Sequence, residues 1–160
     1  MLTLVTWSLL LAAVGATPAG PCDLVDRPTA AQMLGAPVTK VEPTGPEPDE
    51  DSGATRTTCT YYAGQGLLIV IRLDFPNAAA ARDMAATELD PDKLNAENST
   101  VKQESGIGDK DYLVHAPKAV QYVVVKGSTV LTLILGGTSD APAAHESQLR
   151  TAAGAATKKL

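Results

Sequence analysis

Val120-Gln121-Tyr122-Val123-Val124-Val125-Lys126-Gly127-Ser128-Thr129-Val130-Leu131-Thr132-Leu133-Ile134-Leu135 is the stretch that decides the fold. Two runs rich in β-branched and apolar residues flank Gly127-Ser128, a two-residue loop in which glycine supplies the positive φ of a tight hairpin. That loop sets the register, with Lys126 opposite Thr129 and Val124 opposite Leu131. Side chains alternate across a strand. Tyr122, Val124, Leu131 and Leu133 therefore share one face, and Val123, Val125, Val130 and Ile134 share the other. Both faces are apolar, so both need cover.

A second hairpin precedes it. Arg56 to Ala63 is β-rich, Gly64-Gln65-Gly66 turns the chain, and Leu67 to Asp74 returns. Here Leu67, Ile69, Ile71 and Leu73 alternate with Leu68 and Val70, which again gives two apolar faces. Tyr112 to His115 reads as a shorter strand after a tight turn at Ser105-Gly106-Ile107-Gly108-Asp109, and Thr100 to Glu104 before that turn is left open between strand and loop. Three helices complete the pattern. Asp26 caps one with Pro28 in its first turn, and Gly35 stops it. Asn77 caps Ala78 to Leu89. The last runs from about Ala141 to Lys159, with Asp140 as its cap, Leu149, Ala152, Ala153, Ala156 and Leu160 as its buried stripe, and Lys158 and Lys159 at the negative end of its dipole. Val38 to Val41 is open to an extended reading, and Pro43 to Ala54, rich in Pro, Gly and acids, reads as a loop. The expected fold is α+β in the order α-β-β-α-β-β-β-α: a mainly antiparallel sheet of about five strands with three helices largely on one face. The other face would be capped by the segment from Val38 to Ala54, or would bind a ligand or partner. The residues expected to form that apolar binding face are Leu68, Val70, Val123, Val125, Val130 and Ile134.

Leu2 to Ala16 carries no charge and is mostly apolar, a length that suits a signal h-region better than a membrane span. Val14-Gly15-Ala16 places small residues where signal peptidase cuts. The expected organisation is a signal peptide over residues 1–16, with cleavage as late as residue 20 as the alternative, and one disulfide-stapled domain over 17–160. No Lys or Arg precedes the apolar stretch, which leaves a start upstream of Met1 open. Cys22 stands where a lipoprotein is acylated, but Pro21 directly before it departs from a lipobox. Membrane association is expected only if Cys22 is lipidated. Export to an oxidising compartment favours a bridge between Cys22 and Cys59, the alternative being two free thiols.

The net charge is −5, and no basic stripe is present to contact phosphates, so nucleic acid is not an expected partner. The chemistry-bearing side chains are few. His145 shares a helix face with Leu149 and reads as a packing residue; His115 ends a strand before Ala116-Pro117. No serine in a nucleophile-elbow setting accompanies them. Glu47, Asp49, Glu50 and Asp51 do not have EF-hand spacing and read as a solvated loop. Gly106-Ile107-Gly108-Asp109 lacks the third glycine and the following helix of a dinucleotide loop. The expectation is therefore no catalytic residue, no metal and no cofactor.

Cys22-Asp23-Leu24-Val25, Ala30-Ala31-Gln32-Met33-Leu34-Gly35-Ala36-Pro37-Val38, Thr58-Cys59-Thr60-Tyr61 and Gly106-Ile107-Gly108-Asp109 together resemble a pattern in small exported proteins and lipoproteins of actinobacteria and other bacteria. Many of these are domains of unknown function. The resemblance implies an exported α+β domain with helices against an antiparallel sheet, a Cys–Cys bridge and no established enzymatic activity. It offers no catalytic residues to carry over. The resulting expectation is a non-enzymatic envelope or extracellular module that binds a protein, a peptide or a small apolar ligand. The alternatives are an enzyme of unfamiliar chemistry and a structural envelope protein without a ligand.

Overall fold

The structure is a computed structural model that describes residues 20–138 and 142–160. The expected signal segment and the Asp140 cap lie outside the described residues. The two long hairpins form with the register their loops dictate: β2 (Thr55–Ala63) pairs with β3 (Gly66–Asp74), and β6 (Ala119–Lys126) with β7 (Thr129–Gly136). Lys126 faces Thr129 and Val124 faces Leu131.

The sheet is larger than expected. It has seven strands, all antiparallel, in the order β1-β2-β3-β7-β6-β5-β4, in place of about five. β1 (Lys40–Pro48) accounts for much of the difference. Its three prolines, Pro43, Pro46 and Pro48, make it read as a loop from Pro43 onward. Proline lacks only the N–H, and an edge strand uses only one side of its backbone for pairing. β1 is that edge, paired with β2 through a register shift between Thr44 and Glu47. β4 (Thr100–Glu104) and β5 (Lys110–Ala116) complete a second antiparallel meander at the other edge. The two meanders join where β3 lies beside β7.

The helices also depart from the expected arrangement, since they cover both faces. On the first face lie α1 (Pro21–Leu24), α2 (Arg27–Leu34) and α5 (Glu146–Thr157), the last preceded by a 3₁₀ turn over Pro142–His145. They enclose a core that includes Met33, Leu68, Tyr122, Leu131, Leu133 and Leu149. On the second face lie α3 (Ala78–Glu88) and α4 (Pro91–Ala96), over a smaller core of Leu73, Phe75, Ala81, Ala85, Val125 and Val130. β3 and β7 are apolar on both sides because both sides are roofed. The caps read from the sequence hold: Asp26 Oδ1 accepts from the Thr29 amide at 2.8 Å and Asn77 Oδ1 from the Ala80 amide at 2.9 Å, while Gly35 ends α2 at φ +67°. Asp90 caps α4 in the same way, accepting from the Asp92 and Lys93 amides, with Pro91 in the first turn.

Cys22 and Cys59 form a disulfide that fastens α1 to β2. Tyr61, two residues along the same strand face, is buried and donates its hydroxyl to the Val25 carbonyl, with the Cys22 carbonyl 3.1 Å away. Lys159 serves α1 rather than its own helix: its ammonium donates to the Asp23 and Leu24 carbonyls at 2.8 and 3.1 Å. The end of α5 is met instead by Lys126, which donates to the Thr157 carbonyl at 2.8 Å.

Candidate functional site

The two faces of the sheet are unequally closed. α5 seals the first face with Leu149, Ala152, Ala153 and Ala156 fully packed against it. On the second face α3 contributes only Ala81 and Ala85 as buried residues, and α4 only Leu94. Between these helices and the strands a groove of about 380 Å³ remains. Its floor is mostly apolar and comes from the sheet: Ile71, Val114, Val123, Val130 and Ile134, with Gln121 and Thr132 as its two polar members. Met84, Leu89 and Leu94 line it from the helix side. Ile71 and Ile134 are only partly buried, so some apolar surface at the sheet centre still meets solvent.

The groove runs into a wider cleft of about 650 Å³, and the two share Arg56, Leu73, Met84 and Glu88. One wall of the cleft is a stripe of α3 at helical spacing, Ala80, Asp83, Met84, Thr87 and Glu88. The other is the turn after β1, Asp49, Asp51 and Ser52, with Arg56 of β2. This turn is built locally. Asp49 Oδ1 accepts from the Ser52 amide at 3.0 Å and from its hydroxyl at 2.7 Å, and Asp49 Oδ2 lies 2.7 Å from the Arg56 guanidinium. The Ser52 hydrogen bonds, aided by Arg56, hold the Asp49 carboxyl below the usual carboxylate range.

The expected binding face divides between the two sides. Val123, Val125, Val130 and Ile134 share the second face; Val123, Val130 and Ile134 floor the groove, and Val125 is buried in the core under the helices. Leu68 and Val70 do not join them. They lie opposite Leu135 and Leu133, buried in the first core. The register between β3 and β7 places Ile69 beside Ile134 and Ile71 beside Thr132, so the odd-numbered residues of β3 belong to the groove side. Nothing in either hairpin alone fixes that phase, because it depends on a pairing of strands distant in sequence.

The other singled-out residues take structural roles. His145 is buried at the start of α5, with Nδ1 3.1 Å from Gln148 Oε1. His115 Nε2 lies 3.1 Å from Glu146 Oε1, joining β5 to α5. Neither lines the groove or the cleft. In the glycine turn the Asp111 carboxylate, fully buried, accepts from the Ile107 amide at 2.8 Å and the Gly108 amide at 2.7 Å. The acidic loop is partly strand and partly the Asp49 turn, so two of its carboxylates, Asp49 and Asp51, line the cleft. Met84 is legible in the sequence as part of the apolar face of α3, with Ala81, Ala85 and Leu89, whereas Arg56, Asp83 and Glu88 carry no signal there. The helix is visible in the sequence, but not what its polar flank faces.

The fold is similar to that of the extracellular domain of PknH from Mycobacterium tuberculosis, with a TM-score of 0.58 and 13% identity, covering 91% of this chain and 98% of that one. At this identity the likeness is one of fold. No family model matches the sequence, and no curated protein matches it. Among the described residues no helix is long and apolar enough to cross a membrane.

Proposed function

We propose that this protein is an exported, non-enzymatic binding module that holds an apolar ligand in the groove between α3, α4 and the second face of the sheet. The observation that carries the reading is the groove itself. Apolar side chains from four strands and two helices converge on a concavity of about 380 Å³ that the fold leaves unfilled. Ligand sites are commonly mostly apolar concavities of roughly 300–1,000 Å³. Export is supported by the Cys22–Cys59 disulfide, which suits an oxidising compartment, and by the apolar N-terminal stretch. A Cys22 sulfur joined to Cys59 is not free to carry a lipid, which favours a module without an acyl anchor.

A hydrophobic fluorescent dye should bind the disulfide-intact protein and be displaced by alkyl compounds. Ile134→Glu, at a partly buried floor position, should reduce dye binding at least roughly tenfold, since a desolvated carboxylate opposes an apolar occupant. Far-UV circular dichroism should remain unchanged. Equal dye binding by Ile134→Glu and the parent would place the apolar surface elsewhere and remove the reading.

A further inference from the structure

We propose that the ligand of this groove is an amphipathic cation, its chain lying over Ile71, Val130 and Ile134 and its positive head sitting in the cleft between the Asp49–Ser52 turn and α3. The proposal rests on the groove being the binding site and adds the chemical class of what enters it.

Charge is distributed unevenly along the continuous channel. Its inner part is balanced, with Arg56 and Lys93 set against Glu88 and Glu97. Its outer part carries four carboxylates, Asp49, Asp51, Asp83 and Glu88, against the single guanidinium of Arg56. Two of these carboxylates are already matched: Asp49 by Arg56 at 2.7 Å, and Glu88 by Lys93 at 2.9 Å. Asp51 and Asp83 are not, since among the described residues no cation pairs with either. They stand on opposite walls, one on the turn and one on α3. The arrangement therefore presents a mostly apolar floor that leads outward to two unneutralised carboxylates. An anionic head would meet repulsion there, and a neutral one would gain nothing from the charge. A cation gains attraction in a cleft whose walls are partly of low dielectric. The channel lies between helix and sheet, which fits a slender chain rather than a folded partner.

The test compares three probes of equal chain length below their micellar concentrations: decyltrimethylammonium, decanoate and a neutral decyl glucoside. Each displaces the hydrophobic dye from the disulfide-intact protein at low ionic strength. The ammonium should bind up to roughly tenfold more tightly than the other two, the upper size expected of two solvent-exposed charge contacts. The advantage should shrink as salt is added. Asp51→Asn combined with Asp83→Asn, both at exposed positions, should erase the advantage and leave glucoside binding unchanged, which also shows that the variant is folded. Equal binding of all three probes, tighter binding of decanoate, or an ammonium preference that survives the double substitution would overturn the cationic assignment while the apolar groove stands. Failure of all three probes would overturn the groove reading as well.

Discussion

Gly108 sits where a side chain has no room. A Cβ at this position would lie 2.5 Å from Val124 Cγ1 and 2.5 Å from the Val125 carbonyl oxygen, so the turn can approach β6 only through glycine. Asp111 completes the device by gathering the Ile107 and Gly108 amides onto one buried carboxylate. Gly108→Ala should lower the midpoint of urea unfolding by an amount equivalent to about 2–3 kcal/mol, because the added methyl must displace backbone rather than a flexible side-chain end. Asp111→Ala should cost a similar amount, about 2 kcal/mol, by leaving two amides without an acceptor. Tyr61 gives a pH test. Burial, with Asp23 and Asp26 nearby, pushes its phenol from the ordinary 10.0 up to about 12. The folded protein thus keeps a proton that the unfolded chain releases above about pH 10. The stability tied to that proton is fully present below pH 10 and is lost as pH rises toward about 12, a decline of about 2 kcal/mol. Tyr61→Phe should be less stable at neutral pH, but its stability should fall less steeply between pH 10 and 12 in denaturant titrations.

At the scale of elements, local chemistry was legible and long-range pairing was not. The turn at Gly127-Ser128 fixed one hairpin, and the Asp26 and Asn77 caps fixed the starts of two helices, because each signal acts within a few residues. Asp90-Pro91 carried the same kind of signal for α4, yet it lay in a polar stretch with a single buried apolar residue, Leu94. β1 was hidden for a different reason. Its prolines and its exposed side chains remove the alternation by which a strand is recognised, and only its pairing with β2 reveals it. The candidate site was half legible for the same cause. The Val123, Val130 and Ile134 face follows from one hairpin, whereas the placement of Leu68 and Val70 required the junction of β3 and β7. The disulfide is the strongest constraint on a small element. α1 has four residues and cannot hold itself together as a helix, so its place depends on Cys22, on Tyr61 and on Lys159. Cys59→Ala with Cys22→Ala should lower stability by about 3–4 kcal/mol on chain-entropy grounds, for a bridge spanning 37 residues. The thermal midpoint should fall accordingly, with the sheet's circular dichroism retained at low temperature.

For the whole molecule, the one sheet shared by two cores sets the order in which parts open. β3 and β7, the strands of the central seam, are each hydrogen-bonded on both edges, so their amides are the last to exchange even though the groove leaves part of their second face uncovered. α5 is held by five buried residues from Leu149 to Thr157, whereas α3 is held by two and α4 by one. The cover of the second face is therefore the part most weakly tied to the rest, and it is also the roof of the groove. Native-state hydrogen exchange should show α3 and α4 opening at lower free energy than α5, and the seam exchanging last. An occupant bound between α3, α4 and the sheet adds contacts that the open form lacks, so it raises the opening free energy of α3 and α4 in proportion to its saturation. It leaves the seam almost unchanged until that local opening becomes as costly as global unfolding. Protection confined to α3 and α4 on adding a decyl probe would locate the ligand on this face. Protection centred on α5 would instead locate it on the first face and contradict the assignment.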